Sequence, residues 1–313
     1  MRAALVRELG SVPELGEVDD PQGHDVIAVL AAALNPVDLA VASGAYVAGH
    51  PPLPYVPGCE AVGRTADGRV VWVFGGGFGL VRSGGMGDRA SVGEAVAVEV
   101  PDGADPALAA GLGIAGLAGW LPFAWRAPLR GGETVLVLGA TGSVGLVAVQ
   151  AAKLLGASRV VAAGRDANRL EKAVSLGADA TVRIGVGNDL VAAFREASEG
   201  DGPTYDFDAL WGEPLAAAVQ AAAPGATVVN LGQSAGPTAE LPSGAVRGKN
   251  LNIHGHFAFG VPAEVFAEHY PRLVRHALGG EIRLDVERVQ LEDVADAWRR
   301  QAAGEAAKLV LVP

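Results

Sequence analysis

Cysteine is almost absent from this chain, and aromatic residues are few. Among 313 residues the only cysteine is Cys59, and aromatic residues make up 5% of the total. One cysteine cannot form an intramolecular disulfide or a cysteine-rich zinc site, and such usage is typical of a reducing compartment. We therefore expect a cytoplasmic protein without a disulfide framework.

Positive charge is also in short supply. The chain has 24 Lys and Arg residues against 35 Asp and Glu residues, which gives a formal net charge of −11. A chain with this excess of negative charge is not expected to present a positively charged surface for nucleic acid or an anionic membrane. The N-terminus reaches Glu8 before any long apolar run, and no other stretch predicts a membrane span. We expect a soluble, unexported protein whose partner is a small-molecule substrate.

Hydrophobic residues, by contrast, are abundant. They make up 50% of the chain, which supports a large buried core and excludes a disordered protein. The chain is longer than one core usually grows, so we expect two domains. The first part consists of short β runs broken by Pro and Gly, which predicts an irregular, mostly β domain. These runs cover residues 3–7, 25–33, 58–65, 69–74 and 95–100.

From residue 107 onward, helices and strands alternate, which predicts a parallel, doubly wound sheet. The predicted strands cover residues 134–139, 159–163, 180–184, 207–211, 227–231 and 251–256. The intervening helices are predicted to begin near Ser143, Asp166, Asn188 and Glu213. Six strands with crossover helices match a dinucleotide-binding architecture.

The last part of the chain is predicted to return to the first domain. After His256 we expect a helix over 263–278, a strand near Val286, a helix over 291–302 and a final strand from Lys308. The predicted domains are therefore 1–107 with 257–313, and an inserted domain over 108–256. The cleft between the domains is the expected site. The glycine-rich segment 74–87 lacks the ending of a nucleotide phosphate loop and is predicted to be a mobile surface loop.

A glycine turn between an apolar strand and a helix is the most informative motif. It reads Thr134-Val-Leu-Val-Leu-Gly-Ala-Thr-Gly-Ser-Val-Gly145. Gly142 lets the backbone approach a phosphate, and Gly145 lets the following helix pack closely on the strand. Ala140 stands where a strict fingerprint has glycine, so an ordinary tight turn is the alternative. The placement between strand and helix favours a dinucleotide site.

The residues after the second predicted strand indicate which dinucleotide binds. Arg165 lies twenty residues beyond Gly145, and Arg169 follows in the next helical turn. An arginine at this position accommodates a 2′-phosphate, whereas an acidic residue binds a ribose hydroxyl. We predict NADPH as the cofactor. Asp166 would favour NADH if it reached the ribose, but we expect it to cap the helix that begins there.

Several segments together resemble one family, the zinc-free quinone oxidoreductases of the medium-chain dehydrogenase/reductase superfamily. They are Leu34-Asn-Pro-Val-Asp-Leu39, Ser43-Gly-Ala-Tyr46, Pro54-Tyr-Val-Pro-Gly-Cys-Glu60, the turn at 139–145, Leu176-Gly-Ala-Asp179 and Lys308-Leu-Val-Leu-Val-Pro313. The resemblance spans essentially the whole chain. It implies an α/β protein in which a GroES-like, mostly β substrate domain carries an inserted Rossmann domain.

The resemblance also implies roles for particular residues. Two residues stand at positions where zinc enzymes of the superfamily have metal ligands. Asn35 and Cys59 stand where zinc alcohol dehydrogenases of the superfamily have a cysteine and a histidine, so no metal is expected. Asn35 and Tyr46 are the predicted catalytic residues: Asn35 positions the cofactor or the substrate carbonyl, and Tyr46 donates a hydrogen bond or proton. The alternatives are that Asn35 satisfies a turn and that Tyr46 is a half-buried packing residue.

The strand ends and the family motifs together predict a set of cofactor contacts. These are Asn35, Gly139, Thr141, Gly142, Ser143, Val144, Gly145, Gly164, Arg165, Arg169, Trp211, Gly212, Leu231, Gly232, Phe257 and Lys308. Trp211 is unusually bulky for such a position, and its indole either narrows the ribose pocket or packs on a helix. A metal site at His254 and His256 is the less favoured reading of two ordinary polar residues on a strand.

The predicted function is hydride transfer from NADPH to a quinone or an α,β-unsaturated carbonyl compound, without zinc. The alternatives are an enoyl reductase acting on an acyl thioester or biosynthetic intermediate, and a non-catalytic NADPH-binding protein. Residues 232–236 also fit the G-x-S-x-G pattern of hydrolases, but Pro237 and the residues after it are poor helix material. The family commonly forms dimers through the edge strand of the cofactor sheet, here 251–256, so we expect a homodimer.

Overall fold

The computed structural model describes residues 1–23, 25–305 and 307–313. Its strands, in chain order, are β1 (Arg2–Leu5), β2 (Glu14–Glu17), β3 (Val26–Ala33), β4 (Glu60–Arg64), β5 (Val70–Phe74), β6 (Arg89–Ser91), β7 (Val96–Glu99), β8 (Thr134–Leu138), β9 (Arg159–Gly164), β10 (Ala180–Arg183), β11 (Tyr205–Asp208), β12 (Thr227–Asn230), β13 (Asn252–Gly255), β14 (Val286–Gln290) and β15 (Lys308–Val312).

The helices are numbered in the same way. They are α1 (Pro36–Ala42), α2 (Pro106–Gly111), α3 (Leu117–Leu121), α4 (Ser143–Leu154), α5 (Ala167–Ser175), α6 (Leu190–Ser198), α7 (Gly212–Ala221), α8 (Ser243–Gly248), α9 (Ala263–Leu278) and α10 (Val294–Ala302). Two π-helical turns, Leu112–Gly116 and Pro122–Arg126, follow α2 and α3, and two 3-10 turns lie at Ala258–Gly260 and Leu291–Asp293.

The chain divides into two compact units. The first unit comprises Met1–Ala115, Val261–Gly279 and Leu284–Pro313, and the second comprises Gly116–Gly260 with Gly280–Arg283. The sequence prediction placed these boundaries after residues 107 and 256. The structural division differs because the first turns beyond residue 107 pack with the first unit.

The first unit is built on a mixed sheet. Its strand order is β14-β15-β3-β4-β5-β7, and β6 also pairs with β3; β1 and β2 form a separate antiparallel pair. The C-terminal strand β15 runs antiparallel to β3, with Val310 opposite Ala33. Aromatic rings fill the core beside this sheet, where the ring centroid of Trp72 lies 4.6 Å from that of Tyr270 and 5.3 Å from that of Phe74.

The glycine-rich segment 74–87 is not a mobile surface loop, and that prediction was wrong. Phe78 and Met86 are completely buried. A Cβ atom on Gly79 would lie 2.4 Å from the carbonyl oxygen of Gly58, so the segment packs directly against the neighbouring backbone. Glycine serves close packing here, and the few apolar side chains anchor the segment to the core.

The second unit contains a six-stranded parallel sheet. Its order is β10-β9-β8-β11-β12-β13, and every neighbouring pair is parallel. Counted from the first strand of the unit, this is the order of a doubly wound dinucleotide-binding fold, whose order reverses between β8 and β11. The predicted combination of a mostly β domain with an inserted doubly wound sheet is confirmed.

The largest difference from the predicted strand ends in this sheet is at β11. The sequence predicted a strand over 207–211, but β11 ends at Asp208. The Asp208 Oδ1 atom accepts hydrogen bonds from the backbone N–H groups of Leu210 and Trp211, both at 2.9 Å. An aspartate that bonds to the backbone just after it makes a turn, and this turn ends the strand.

Two helix starts are important for the site. Helix α4 begins at Ser143 with Gly142 at its N-cap, and no side chain in the described part of the chain caps it. Helix α5 begins after Asp166, whose carboxylate accepts a hydrogen bond from the backbone N–H of Arg169 at 3.0 Å. The prediction that Asp166 caps this helix is confirmed.

One helical segment of the described residues is long and apolar enough to cross a membrane. It covers Pro106–Arg126, with a mean hydropathy of 1.6, and 78% of its most apolar window is buried inside the protein. Burial of this kind is what a core helix of a globular fold shows. From the sequence, no membrane span was predicted in this segment.

Candidate functional site

The glycine turn after β8 has the shape that a phosphate group needs. A Cβ atom on Gly145 would lie 2.2 Å from the carbonyl oxygen of Gly139, so only glycine lets α4 approach the strand this closely. A Cβ atom on Gly142 would meet nothing nearer than 3.9 Å, so the space in front of this residue is open. The uncapped start of α4 faces the same turn with its backbone N–H groups and the positive end of the helix dipole.

The end of β9 is fixed against this turn. The N–H groups of Gly139 and Ala140 both donate to the carbonyl of Ala163 at 3.0 Å. A Cβ atom on Gly164 would lie 2.4 Å from Thr141 Cγ2, so these two predicted site residues are in close contact. Arg165, the next residue, is exposed at the carboxyl end of the strand.

Sequence reasoning missed a further cation here. Arg183, the last residue of β10, lies opposite Gly164 in the parallel register, and its Nε donates to the carbonyl oxygen of Arg165 at 3.2 Å. Within residues 1–23, 25–305 and 307–313, neither Arg165 nor Arg183 forms an ion pair. The available signal was an arginine at the end of a predicted strand that neighbours the strand of Arg165.

The other half of the sheet edge is held by a polar pair. The Asn230 side-chain amide donates to Asp208 Oδ2 and to the carbonyl of Gly232, both at 2.7 Å. A Cβ atom on Gly232 would lie 2.5 Å from the carbonyl oxygen of Ala209. Burial raises the pKa of Asp208, and the hydrogen bonds from Trp211, Leu210 and Asn230 oppose that shift. The loops after β11 and β12 are therefore tied together.

The structure thus gathers most of the predicted cofactor contacts along one edge of the second unit. The turn residues, Gly164, Arg165 and Arg169 lie at the ends of β8 and β9 or in the first turn of α5, while Trp211, Gly212, Leu231 and Gly232 follow β11 and β12. Phe257 follows β13 and is exposed, with its ring centroid 5.7 Å from that of Phe259. Ligands of open α/β sheets bind at the carboxyl ends of the strands, which is this edge.

The first unit contains a different kind of site, a buried polar cluster. Its members are Asn35, Asp38, Cys59, Glu60 and Lys308, all of which are buried. Glu60 accepts hydrogen bonds from Asn35 Nδ2 at 2.8 Å, Trp72 Nε1 at 2.8 Å and the backbone N–H of Ile114 at 2.7 Å. Three donors around one carboxylate are the arrangement that makes a buried negative charge tolerable.

Asn35 connects this carboxylate to a buried ammonium group. Its Nδ2 also donates to the carbonyl of Ala33 at 3.1 Å, and its Oδ1 accepts a hydrogen bond from Lys308 Nζ. Lys308 Nζ donates in addition to the carbonyl of Leu34 at 2.9 Å. Both side-chain N–H groups of Asn35 are therefore in use, and the Lys308 ammonium is directed inward. A direct donation from either group to a ligand would require one of these bonds to break.

In this cluster, burial and the pairing of opposite charges shift the pKa values of Glu60 and Lys308 in opposite directions. Burial raises the pKa of Glu60, and the positive charge of Lys308 opposes this. Burial lowers the pKa of Lys308, and the charges of Glu60 and Asp38 oppose that shift in turn. Asp38 accepts backbone hydrogen bonds from Asn35 at 2.7 Å and Cys59 at 2.8 Å. Burial, followed by the nearby Asp38, holds the pKa of the Cys59 thiol well above its ordinary value, so the thiol stays neutral.

Tyr46 lies beyond α1 in a partly exposed segment. Partial burial raises the pKa of its phenol, and the charge that Cys59 carries when ionised adds to the shift. The phenol therefore keeps its proton at neutral pH. The neighbouring Val47 is almost fully exposed, so this segment lies at the surface of the first unit.

Two other candidate sites do not have the required geometry. Ser234 lies in a loop, its hydroxyl donates to the carbonyl of Ala209 at 3.2 Å, and the next helix begins only at Ser243. A nucleophile elbow needs a helix directly after the serine, so the hydrolase reading fails. His256 is buried, which lowers its pKa to about 4, and among the described residues no group of three or more His, Cys, Asp or Glu side chains could hold a metal ion.

Comparisons with known proteins find one matching family and several proteins of similar sequence. Residues 143–275 match a family described as zinc-binding dehydrogenase. The chain is 31% identical over 304 residues to a phenolphthiocerol/phthiocerol polyketide synthase of Mycobacterium tuberculosis, a match that covers 91% of this chain and 13% of that protein. It is 33% identical over 180 residues to human quinone oxidoreductase, covering 53% of this chain and 54% of the human protein. The chain therefore spans only a small part of the first relative and about half of the second.

A solved structure gives the full-length comparison. The quinone oxidoreductase from Thermus thermophilus, which was also solved in complex with NADPH, matches over 100% of both chains with a TM-score of 0.79 and 26% identity. The fold is accordingly the GroES-like plus Rossmann combination. The chain is therefore similar to quinone oxidoreductases in sequence and shares the fold of the Thermus thermophilus enzyme over its whole length.

Proposed function

We propose that the protein is an NADPH-dependent oxidoreductase that reduces a quinone or an α,β-unsaturated carbonyl compound without zinc. The observation that carries this proposal is the open phosphate turn at Gly142, with Arg165 and Arg183 beside it on the neighbouring strands. The quinone oxidoreductases among the relatives support the same reading.

The residues of the second unit fit the cofactor. Gly142 and the start of α4 would hold the pyrophosphate, because uncapped N–H groups at a helix N-terminus bind anions. Arg165, Arg169 and Arg183 would hold the 2′-phosphate. The strand ends at Trp211 and Gly232 would take the nicotinamide half, since each half of a doubly wound sheet binds one mononucleotide. When bound, NADPH supplies the hydride that reduces the acceptor.

The residues of the first unit supply hydrogen bonding and orientation. Reduction of a conjugated carbonyl places negative charge on its oxygen, so a nearby donor lowers the barrier. Tyr46 is the donor that we propose, because its phenol is protonated and lies in a partly exposed segment. We assign Asn35 and Lys308 to positioning, because their polar atoms already bond to Glu60, Ala33 and Leu34 inside the unit.

Zinc independence is part of the proposal and follows from the chemistry of this cluster. Zinc is held by three or four nitrogen, sulfur or oxygen ligands in a tetrahedral array. Here the Asn35 amide bridges a carboxylate and an ammonium group, and the Cys59 thiol is neutral. A thiol must lose its proton to bind zinc, and the Lys308 charge already serves as the internal cation.

An enoyl reductase acting on an acyl thioester is the second candidate. The polyketide synthase relative favours it, because the match covers 91% of this chain. Both activities reduce a conjugated acceptor, so the same cofactor site and hydrogen-bond donors would serve either activity.

A reductase assay tests the proposal. Purified protein is mixed with NADPH and a panel of quinones, enones and enoyl thioesters, and the loss of NADPH absorbance is followed with and without a chelator. We expect turnover with at least one acceptor and no effect of the chelator. NADPH binding without turnover on any acceptor would identify a non-catalytic NADPH-binding protein, and inactivation by the chelator would refute zinc independence.

We also propose a cytoplasmic homodimer that pairs through β13. This strand is at the edge of the parallel sheet, and its side chains are largely exposed, including Ile253. An unpaired strand edge is a template for pairing with a second chain. Light scattering at micromolar concentration should give the mass of two chains, and a monomer would refute the dimer.

A further inference from the structure

Trp211 has a backbone conformation that tryptophan almost never adopts. Its φ is +57° and its ψ is −157°. A residue with a Cβ atom is strained at positive φ, and this particular region belongs almost exclusively to glycine. A large aromatic residue here needs an explanation, because a glycine would satisfy the backbone without strain.

Hydrogen bonds on both sides of position 211 hold its backbone in this conformation. The Trp211 N–H donates to Asp208 Oδ1 at 2.9 Å, and the Ala235 N–H donates to the Leu210 carbonyl at 2.8 Å. On the other side, a Cβ atom on Gly212 would lie 2.9 Å from the Ala235 carbonyl oxygen. The two loops after β11 and β12 therefore lock the chain on both sides of the tryptophan.

Its position puts Trp211 at the edge where ligands bind. It follows β11, and β11 lies next to β8 at the point where the strand order reverses. Dinucleotides cross a doubly wound sheet at this point. Arg165 and Arg183 belong to the half formed by β8, β9 and β10, so Trp211 belongs to the half opposite the 2′-phosphate. Its side chain is partly buried against the core cluster that includes Leu138 and Leu215, and part of it is exposed.

We propose that Trp211 is a binding determinant for the nicotinamide half of the cofactor, with its indole forming an apolar wall of the crevice. Part of the indole packs on the core cluster, and the exposed part lies at the sheet edge where a cofactor binds. A flat aromatic surface suits the planar nicotinamide ring and its ribose. The inference rests on the proposed function, since it names which part of the same site Trp211 contacts.

Two variants distinguish the effect of the indole on cofactor affinity from the effect of the backbone strain on stability. W211A removes the indole and keeps a Cβ atom at positive φ, whereas W211G removes both. We expect both variants to bind NADPH about tenfold more weakly than the original protein by calorimetry. Both should bind 2′,5′-ADP, which lacks the nicotinamide half, with unchanged affinity. W211G should also unfold about 2–4 °C above W211A, because the glycine relieves the strain.

Each part of the inference has an outcome that overturns it. Unchanged NADPH affinity in both variants would show that the indole does not contact the cofactor. An equal loss of affinity for 2′,5′-ADP would show that the variants disturb the whole site. A W211G protein that unfolds no later than W211A would show that the tryptophan backbone is not strained. If the original protein binds neither NADPH nor 2′,5′-ADP, the proposed function itself fails.

Discussion

The two units treat charge in opposite ways. In the first unit, charged groups are buried and satisfied: Glu60 has three donors, and Lys308 is bonded to Leu34 and Asn35. In the second unit, Arg165 and Arg183 lie exposed side by side at the sheet edge. Paired buried charges hold a structure in one arrangement, whereas clustered exposed cations attract an anion. The buried hydrogen bonds of the first unit are therefore made before any ligand binds, whereas the exposed arginines of the second unit can bind an anionic ligand.

Removal of Glu60 should disturb the first unit most strongly. Glu60→Ala leaves buried Lys308 with Asp38 as its one remaining nearby carboxylate of the two that raise its pKa, and removes the acceptor for Trp72 and Ile114. Loss of one partner from a buried charged network typically costs about 3–5 kcal/mol. Urea unfolding should show a loss of this size. Glu60→Gln keeps the shape and is the matched control with a smaller loss, and an Ala variant within about 1 kcal/mol of the original would contradict the account.

Removal of Arg165 should have the next largest effect. A charge-assisted hydrogen bond contributes about 1.5–3 kcal/mol, so Arg165→Ala should raise the KM for NADPH about ten- to a hundredfold and leave that for NADH nearly unchanged. Arg183→Ala should act in the same direction. Arg130, which is exposed elsewhere in the second unit, provides the control R130A. Equal losses with NADPH and NADH would rule out recognition of the 2′-phosphate.

Within the described part of the chain, the two units also differ in how they treat buried carboxyl groups, since Glu60 and Asp38 of the first unit accept hydrogen bonds whereas Asp206 of the second does not. Among the described residues, Asp206 is buried without a hydrogen-bond partner for either oxygen, and burial followed by the charge of Asp208 raises its pKa well above the ordinary value. The folded state therefore holds a proton that the unfolded state releases above about pH 4, so stability falls as the pH rises from there.

The measurement is the free energy of unfolding at several pH values. Asp206→Asn carries no titrating proton, so the decline should flatten by at most about 1.4 kcal/mol per pH unit. Asp67, whose pKa is lowered and which is exposed, offers the control variant D67N. A slope unchanged by Asp206→Asn would contradict the assignment.

Tyr46 should give the smallest effect. Tyr46→Phe removes one hydrogen-bond donor and keeps the ring, so kcat should fall by about tenfold or less. Turnover of a good enone substrate measures this, with the KM for NADPH expected to stay constant. Unchanged kcat would leave Tyr46 as a packing residue.

Local patterns predicted the parts of the fold that local chemistry determines. The apolar run ending at Gly139, the glycines at 142 and 145 and the cap at Asp166 are each decided within a few residues, and the structure has them as expected. The end of β11 was missed because the aspartate turn at Asp208 overrides an apolar continuation through Trp211.

Long-range contacts decide what the sequence could not predict. Asn35, Glu60 and Lys308 meet because β4 and β15 both pair with β3, so their mutual hydrogen bonds are invisible in a local pattern. Arg183 reaches Arg165 through the parallel register of β10 and β9. The strain at Trp211 likewise depends on a loop beyond β12.

Calorimetry with the original protein is the decisive test of nucleotide recognition at the edge of the parallel sheet. We predict that NADPH binds at least about tenfold more tightly than NADH and that 2′,5′-ADP binds where 5′-AMP does not. Equal affinity for the two dinucleotides, or no heat with either, would refute recognition of the 2′-phosphate by this edge.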